Sequence, residues 1–173
     1  LTVNGDNNTN NLTAGKLVID NKNGAISLKT SADIISATTN SSDITITNNK
    51  SAIITSMTTT GNVTISVDGT ISQGTGTIAA DNLIIKTSGT VGSAATKLAT
   101  NVATIKITNL TDDGSTNNNA YISESDGIDI VSVDVAAGDF TITAGGTITS
   151  SGDTKANSVN VTTTNSGDAT IKN

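Results

Sequence analysis

Few side chains in this 173-residue sequence could do chemistry, and they are of a narrow kind. It has no His, Cys, Arg, Trp or Pro, all nine cations are Lys, and Tyr121, Phe140 and Met57 are each alone in their type. Without His or Cys, neither a Ser-His-Asp nor a Cys-His triad can be assembled, and thiolate zinc sites and disulfides are excluded. Without Arg there is no bidentate phosphate clamp, and one Tyr and one Phe make no platform for stacking bases. A net charge of -6 and a pI near 4.3 argue against nucleic acid or an anionic membrane surface as partner. What remains is oxygen chemistry. The densest carboxylate group is Asp112, Asp113, Glu124, Asp126 and Asp129, which could in principle ligate Ca²⁺. Its spacing matches neither an EF-hand loop nor the glycine-rich nonapeptide of calcium-binding β-rolls, so a solvated acidic face is expected, with no metal and no cofactor. Carbohydrate-cleaving enzymes also work with grouped carboxylates. Here, however, Asp43, Asp68, Asp139 and Asp168 fall at predicted bends, and no Arg or His is present to neutralise an acidic substrate. No residue is assigned a catalytic role, and a non-enzyme is expected.

Three other patterns could carry binding. The longest polar interruption, Leu110–Asn119, reads LTDDGSTNNN and is followed by the lone Tyr121. It is expected to leave the body of the protein as a loop, with Asp112, Asp113, Asn117, Asn118, Asn119 and Tyr121 as candidate binding residues; the alternative is an ordinary variable turn. Thr-x-Thr pairs stand at Thr45/Thr47, Thr75/Thr77, Thr141/Thr143 and Thr147/Thr149, but ice binding would need them in one column at a constant interval, and their spacing is irregular. Seven Asn-x-Ser/Thr sequons occur, at Asn7, Asn11, Asn40, Asn49, Asn62, Asn109 and Asn160. With 52 Ser and Thr in the chain, that number is close to chance.

The elements that must position these groups are strands. Apolar-x-apolar pairs recur along the chain: Ile26/Leu28, Ile44/Ile46, Val63/Ile65, Leu83/Ile85, Ile105/Ile107, Ile128/Ile130, Phe140/Ile142, Val159/Val161 and Ala169/Ile171. Alternation of β-branched residues marks half-buried strands, and no helical stripe accompanies it. The first six pairs begin 18, 19, 20, 22 and 23 residues apart, an interval that signals stacked units. A second apolar segment follows each pair, as at Ile34-Ile35, Ile53-Ile54, Ile71 and Ile148. The fold class predicted is all-β: a parallel β-helix, or solenoid, with coils of about 20 residues. Coils stack at about 4.8 Å, so eight or nine of them would make a rod of roughly 40 Å. The pairs through Val159/Val161 form the predicted core, Thr faces outward, and Asn is expected at bends, where it tolerates left-handed backbone. Zero Pro fits a fold in which nearly every strand is paired on both sides. A β-sandwich is the rival, but the interval is that of a unit of strands rather than of one strand. After Ile128 the steps shorten to 12 and 10 residues, and the repeat weakens.

Low charge and regular alternation argue for an ordered chain. It lacks a run of about 18 apolar residues, so no membrane-spanning helix is expected. The start, Leu1-Thr2-Val3-Asn4-Gly5, has neither an initiator Met nor the features of a signal peptide. Residues 1–173 are expected to be a single rod segment of a longer chain.

The stretch GTISQGTGTIAADNLIIKTSGTVGSAATKLATNVATIKI (69–107), with DGIDIVSV (126–133) and GDFTITAGGTITSSGD (138–153), resembles the repeat region of filamentous haemagglutinin-like exoproteins of two-partner secretion systems. It covers about half of the chain well. Where that family has Pro before Leu in "PLxT", Lys97 precedes Leu98, and the Asn-Pro motif of the family's secretion domain is absent. The resemblance implies a single-stranded right-handed parallel β-helix, exported through an outer-membrane transporter and displayed at the bacterial cell surface or released. The expected function is a non-enzymatic adhesive rod facing a host-cell or surface glycan or protein receptor. A self-assembling filament or surface-layer subunit is the alternative, and an ice-binding solenoid the third.

Overall fold

Strand formation follows from the alternation: Ile, Val and Leu point inward while Thr, Ser, Asn and Lys point out, and both sets favour or tolerate extended backbone. The computed structural model describes residues 2–3, 12–110, 118–135 and 137–172. Strands β1 (Thr2–Val3), β2 (Leu12–Asp20) and β3 (Ile26–Thr38) begin the stack, followed by β4 (Ile44–Asn48), β5 (Ala52–Thr58), β6 (Asn62–Val67) and β7 (Ile71–Gln73). Then come the long strands β8 (Ile78–Thr87) and β9 (Leu98–Asn109) and the shorter β10 (Ala120–Glu124), β11 (Ile128–Asp134) and β12 (Asp139–Ala144). The last are β13 (Ile148–Ser150), β14 (Thr154–Lys155) and β15 (Ser158–Thr163). Every pairing is parallel, each strand lying on its counterpart one coil away, and the described residues contain no helix. This is a β-solenoid with coils of about 20 residues.

Each coil has two runs of strand. In the first run, register places Ile26, Ile44, Val63, Leu83, Ile105 and Ile130 in one inward column. Leu28, Ile46, Ile65, Ile85, Ile107 and Val133 form the adjacent column. All twelve side chains are buried. The second run stacks Leu17, Ile35 and Ile54, and farther along Leu98, Ile122 and Ile142. Burial of each such side chain is worth about 1.5–3 kcal/mol, so the two runs together form one continuous apolar core along the axis.

The apparent weakening of the repeat after Ile128 has a topological cause. Phe140 and Ile142 pair with Ala120 and Ile122, and Val159 and Val161 pair with Phe140 and Ile142. Both late pairs therefore belong to the second run, whereas the pairs up to Ile128/Ile130 belong to the first. The 12-residue step crosses from one side of a coil to the other. From Phe140 to Val159 is again a full coil, and Ala169 returns to the first run, bridging Ile148. Counting every pair as a coil overcounts: the solenoid has about 7 turns, not eight or nine. Val159 and Val161 are only half-buried, unlike Phe140 and Ile142.

The bends also differ from expectation. Ser166 is the one described non-glycine residue with positive φ, at 56°, so no described Asn uses left-handed backbone. Asn acts instead through its amide. On the outward side, Asp43 Oδ1 accepts the Asn62 backbone N–H (2.9 Å) and side-chain N–H (3.0 Å). Asn82 donates to Asn62 Oδ1 (2.6 Å), and Thr104 donates to Asn82 Oδ1 (2.7 Å). This ladder ties four successive coils along the axis. Gly69 takes the left-handed conformation itself: its φ is 133°, and a Cβ there would lie 2.8 Å from the Ser51 nitrogen.

Candidate functional site

Of the loop residues singled out by sequence, Asp112, Asp113 and Asn117 lie outside the described residues. The other three tie one coil to another. Asn118 is buried and donates to Ser88 O (3.2 Å). Asn119 Oδ1 accepts the Asp139 N–H (2.8 Å), and its amide donates to the Tyr121 hydroxyl (3.0 Å). Tyr121 is half-buried in an outward row with Thr141 and Asn160. Nor do the described acidic residues converge: Glu124 is buried, Asp126 is exposed, and Asp129 accepts hydrogen bonds from Thr149 (2.9 Å) and Ser151 (2.6 Å) one coil on. Among the described residues no group of three or more acidic side chains is placed to hold a metal ion.

The Thr-x-Thr pairs do not share a column. Thr45/Thr47 lie on the first run between Ser27/Lys29 and Thr64/Ser66, while Thr141/Thr143 lie on the second run between Tyr121/Ser123 and Asn160/Thr162. Of the sequon asparagines, Asn40, Asn49 and Asn160 are exposed, Asn62 belongs to the axial ladder and Asn109 is buried.

Three polar side chains do structural work inside the coils: Asn48 and Gln73, which sequence reasoning missed, and Glu124, which it placed in the acidic cluster without this role. Strand β3 runs unbroken past Ala32, but the next coil breaks between β4 and β5, leaving the Ala32 backbone without a strand partner on that side. The Asn48 amide fills the gap: its Oδ1 accepts the Ala32 N–H (2.8 Å) and its Nδ2 donates to Ala32 O (3.1 Å). At another bend β9 runs unbroken past Val102 while the next coil breaks between β10 and β11. There the Glu124 carboxylate, 4 % exposed, accepts the Val102 N–H (3.2 and 3.3 Å) and the Ser125 N–H (2.9 Å). The flanking backbone bonds match as well, Asn49 N–H to Thr30 O at 3.0 Å and Ser125 N–H to Thr100 O at 3.0 Å. Gln73 is the third clamp: its Oε1 accepts the Ala99 N–H (2.8 Å) and its amide donates to Gly74 O (3.0 Å). Burial raises the Glu124 pKa above the usual carboxylate value, against the lowering effect of hydrogen bonds from the Thr100 hydroxyl and the Asp126, Ser125 and Val102 N–H groups.

The recess with the chemistry of a binding site lies on the outer side of the first run near the end of the stack. Lys106 and Thr108 of β9, Ser132 and Asp134 of β11, and Asp153 and Lys155 at β14 line a groove of about 370 Å³ floored by Val133. Its origin is a break in register. The pairing of β11 with β9 slips between Ile130 and Ser132, so Val131 bulges outward, 39 % exposed. On the other side β11 pairs first with β13 and then with β14, and the intervening Gly152 packs so close to Val131 O that a Cβ would collide with it. Register sets Thr108, Asp134 and Lys155 in one outward row, with Lys106 and Ser132 beside it. Successive members stand about 4.8 Å apart, one coil each. Asp134 Oδ2 lies 3.7 Å from Lys155 Nζ. Asp134 Oδ1 is buried with no hydrogen-bond partner, and so is the hydroxyl of the inward Thr154, which pairs with Val133.

No protein-family model, curated protein or solved structure matches the chain.

Proposed function

We propose that this chain is a non-enzymatic rod segment of a large bacterial adhesin, carried at the cell surface or secreted. The observation that supports the reading is the unbroken parallel stack: about 7 coils share one apolar core and are cross-tied outside by the Asp43–Asn62–Asn82–Thr104 ladder. Each coil contacts only its neighbours, so stiffness accumulates along the axis and the rod can hold a lateral or distal recognition surface away from its anchor. The likeness of residues 69–107 to the repeat phrases of filamentous haemagglutinin-like exoproteins gives the reading its cellular setting: export through an outer-membrane transporter and a host-cell or surface glycan or protein as receptor.

The test has two arms. Small-angle X-ray scattering gives the dimensions of the particle in solution and its oligomeric state, and the purified chain coupled to fluorescent beads is scored for attachment to epithelial cells. Monomeric particles that carry beads to cells support the adhesive rod. Concentration-dependent growth into fibres, with no attachment, replaces it with a self-assembling filament subunit.

A further inference from the structure

We infer that the groove between Lys106, Asp134 and Lys155 is a saccharide-binding subsite, one that recognises a short, uncharged run of sugar hydroxyls. This rests on the adhesive reading for its biological sense but not for its chemistry. The lining is balanced: two ammonium groups, Lys106 and Lys155, face two carboxylates, Asp134 and Asp153, with the Thr108 and Ser132 hydroxyls between them. A hydroxyl group both donates and accepts, so a polyol is the ligand that satisfies acidic and basic partners together. A phosphorylated or sulfated chain would meet two carboxylates, and a divalent cation would meet two ammonium groups. An extended peptide would need a free strand edge, yet β11 is paired on both sides, with β9 and with β13 and β14. It would also need apolar subsites, and Val133 is the one apolar residue of the lining.

Two further features favour a ligand over a mere surface irregularity. The groove sits at a β-bulge, a device that re-aims side chains out of a flat face. Asp134 Oδ2, 3.7 Å from the Lys155 ammonium, also offers a strong acceptor at the groove, since Oδ1 is turned into the fold. The volume, about 370 Å³, falls at the small end of the roughly 300–1,000 Å³ typical of small-molecule sites, which suits a mono- or disaccharide rather than a long chain. The site has no aromatic for stacking, so affinity should be in the millimolar range.

The probe is a panel of neutral disaccharides (lactose, maltose, cellobiose) titrated into the isotopically labelled full chain, with 2-sulfolactose as the charged comparator, read by amide and Lys side-chain NMR shifts. Saturable shifts are expected at Lys106, Ser132, Asp134 and Lys155 with at least one neutral sugar, and weaker ones with the sulfated sugar. Asp134→Ala should weaken binding by about tenfold or more, because a charge-assisted hydrogen bond is lost. Lys155→Met tests the opposite wall through a side chain 70 % exposed, so its loss should leave the fold intact. Asp20→Asn, an exposed residue of β2 at the far end of the stack, should change nothing. Absence of saturable shifts with every sugar, or shifts equal in wild type and in both groove variants, overturns the inference. Bead attachment to cells that survives both groove substitutions also overturns it as the adhesive contact while leaving the rod reading standing. Sugar binding without cell attachment upholds the subsite and removes the adhesive reading.

Discussion

The clamp at Glu124 makes the most discriminating prediction, because two substitutions at one position should behave oppositely. Glu124→Ala removes the acceptor of the Val102 N–H, whose residue is 2 % exposed and beyond the reach of water. An orphaned buried donor costs about 1–3 kcal/mol, and the one lost methylene adds about 0.8 kcal/mol of burial, while relief of the desolvated charge offsets part of this. The net loss at neutral pH should be about 2–3 kcal/mol, or roughly 5–10 °C in Tm for a chain of this size. Glu124→Gln keeps an amide oxygen for Val102 and Ser125 and turns its NH₂ toward the Thr100 hydroxyl, so it should equal or exceed wild type at pH 7. The pH dependence follows from linkage. Because the folded carboxyl has a raised pKa, its contribution to stability is complete below the unfolded value, near 4.5, and is lost as pH rises through the folded one. Wild type and Glu124→Gln should therefore converge in acid and separate, in favour of Gln, toward neutrality. Thermal melts of the three proteins from acid to neutral pH read this directly. If Gln proves as damaging as Ala, or if the wild-type–Gln difference does not change with pH, the clamp is not what holds the Val102 bend.

Three further outcomes are expected. Asn48→Ala strips hydrogen bonds from both the Ala32 N–H and C=O, in a residue with no exposure, and should cost about 2–5 kcal/mol by chemical denaturation, whereas alanine at the exposed Asn49 next to it should be nearly silent. Asp139 behaves oppositely to Glu124. Hydrogen bonds from Ser158 and Asn157 lower its pKa, so its stabilisation is present above the usual 3.8 and lost as pH falls through the folded value; Asp139→Asn should flatten that acid limb in melts. Ile65→Ala, in the middle of the first-run column, should cost about 2–5 kcal/mol, and hydrogen exchange should quicken most in the flanking strands β4 and β8, since each coil leans on its neighbours.

The period and the inward pairs were legible because they obey a local rule: the same alternation that makes a strand also decides which side chain is inside. Ile26 through Ile107 needed nothing more than that rule and the interval. What was not legible depends on which run a pair belongs to. Phe140/Ile142 and Ile128/Ile130 read alike in sequence, yet register puts them on different sides of one coil. The groove was hidden for a related reason. Lys106, Asp134 and Lys155 are scattered in sequence: the pairing of β11 with β14 sets Asp134 beside Lys155, and the slip of β11 against β9 brings Lys106 level with Ser132.

The clamps, by contrast, carried a signal that went unread. Asn48 closes the series Ile44-x-Ile46-x-Asn48, Gln73 follows Ile71-x, and Glu124 closes Ala120-x-Ile122-x-Glu124. Each occupies an inward position that alternation reserves for an apolar residue, and Gln73 and Glu124 are the sole Gln and Glu of the chain. A polar group placed there must find partners or destabilise the fold, since a buried amide or carboxylate without hydrogen bonds is costly. Here the partner is dictated by geometry. When a strand passes unbroken around a bend and an adjacent coil does not, a backbone N–H is left without a strand partner, and the inward polar residue of that adjacent coil reaches it: the following coil for Asn48 and Glu124, the preceding one for Gln73. The chemistry of the residue then sets the outcome: Asn supplies an acceptor and a donor, Gln does so with a longer reach, and Glu supplies only acceptors and carries a charge. Glu124 is therefore the one clamp of the three whose strength depends on pH, and the Val102 bend is where acid and neutral conditions should act differently on an otherwise uniform rod.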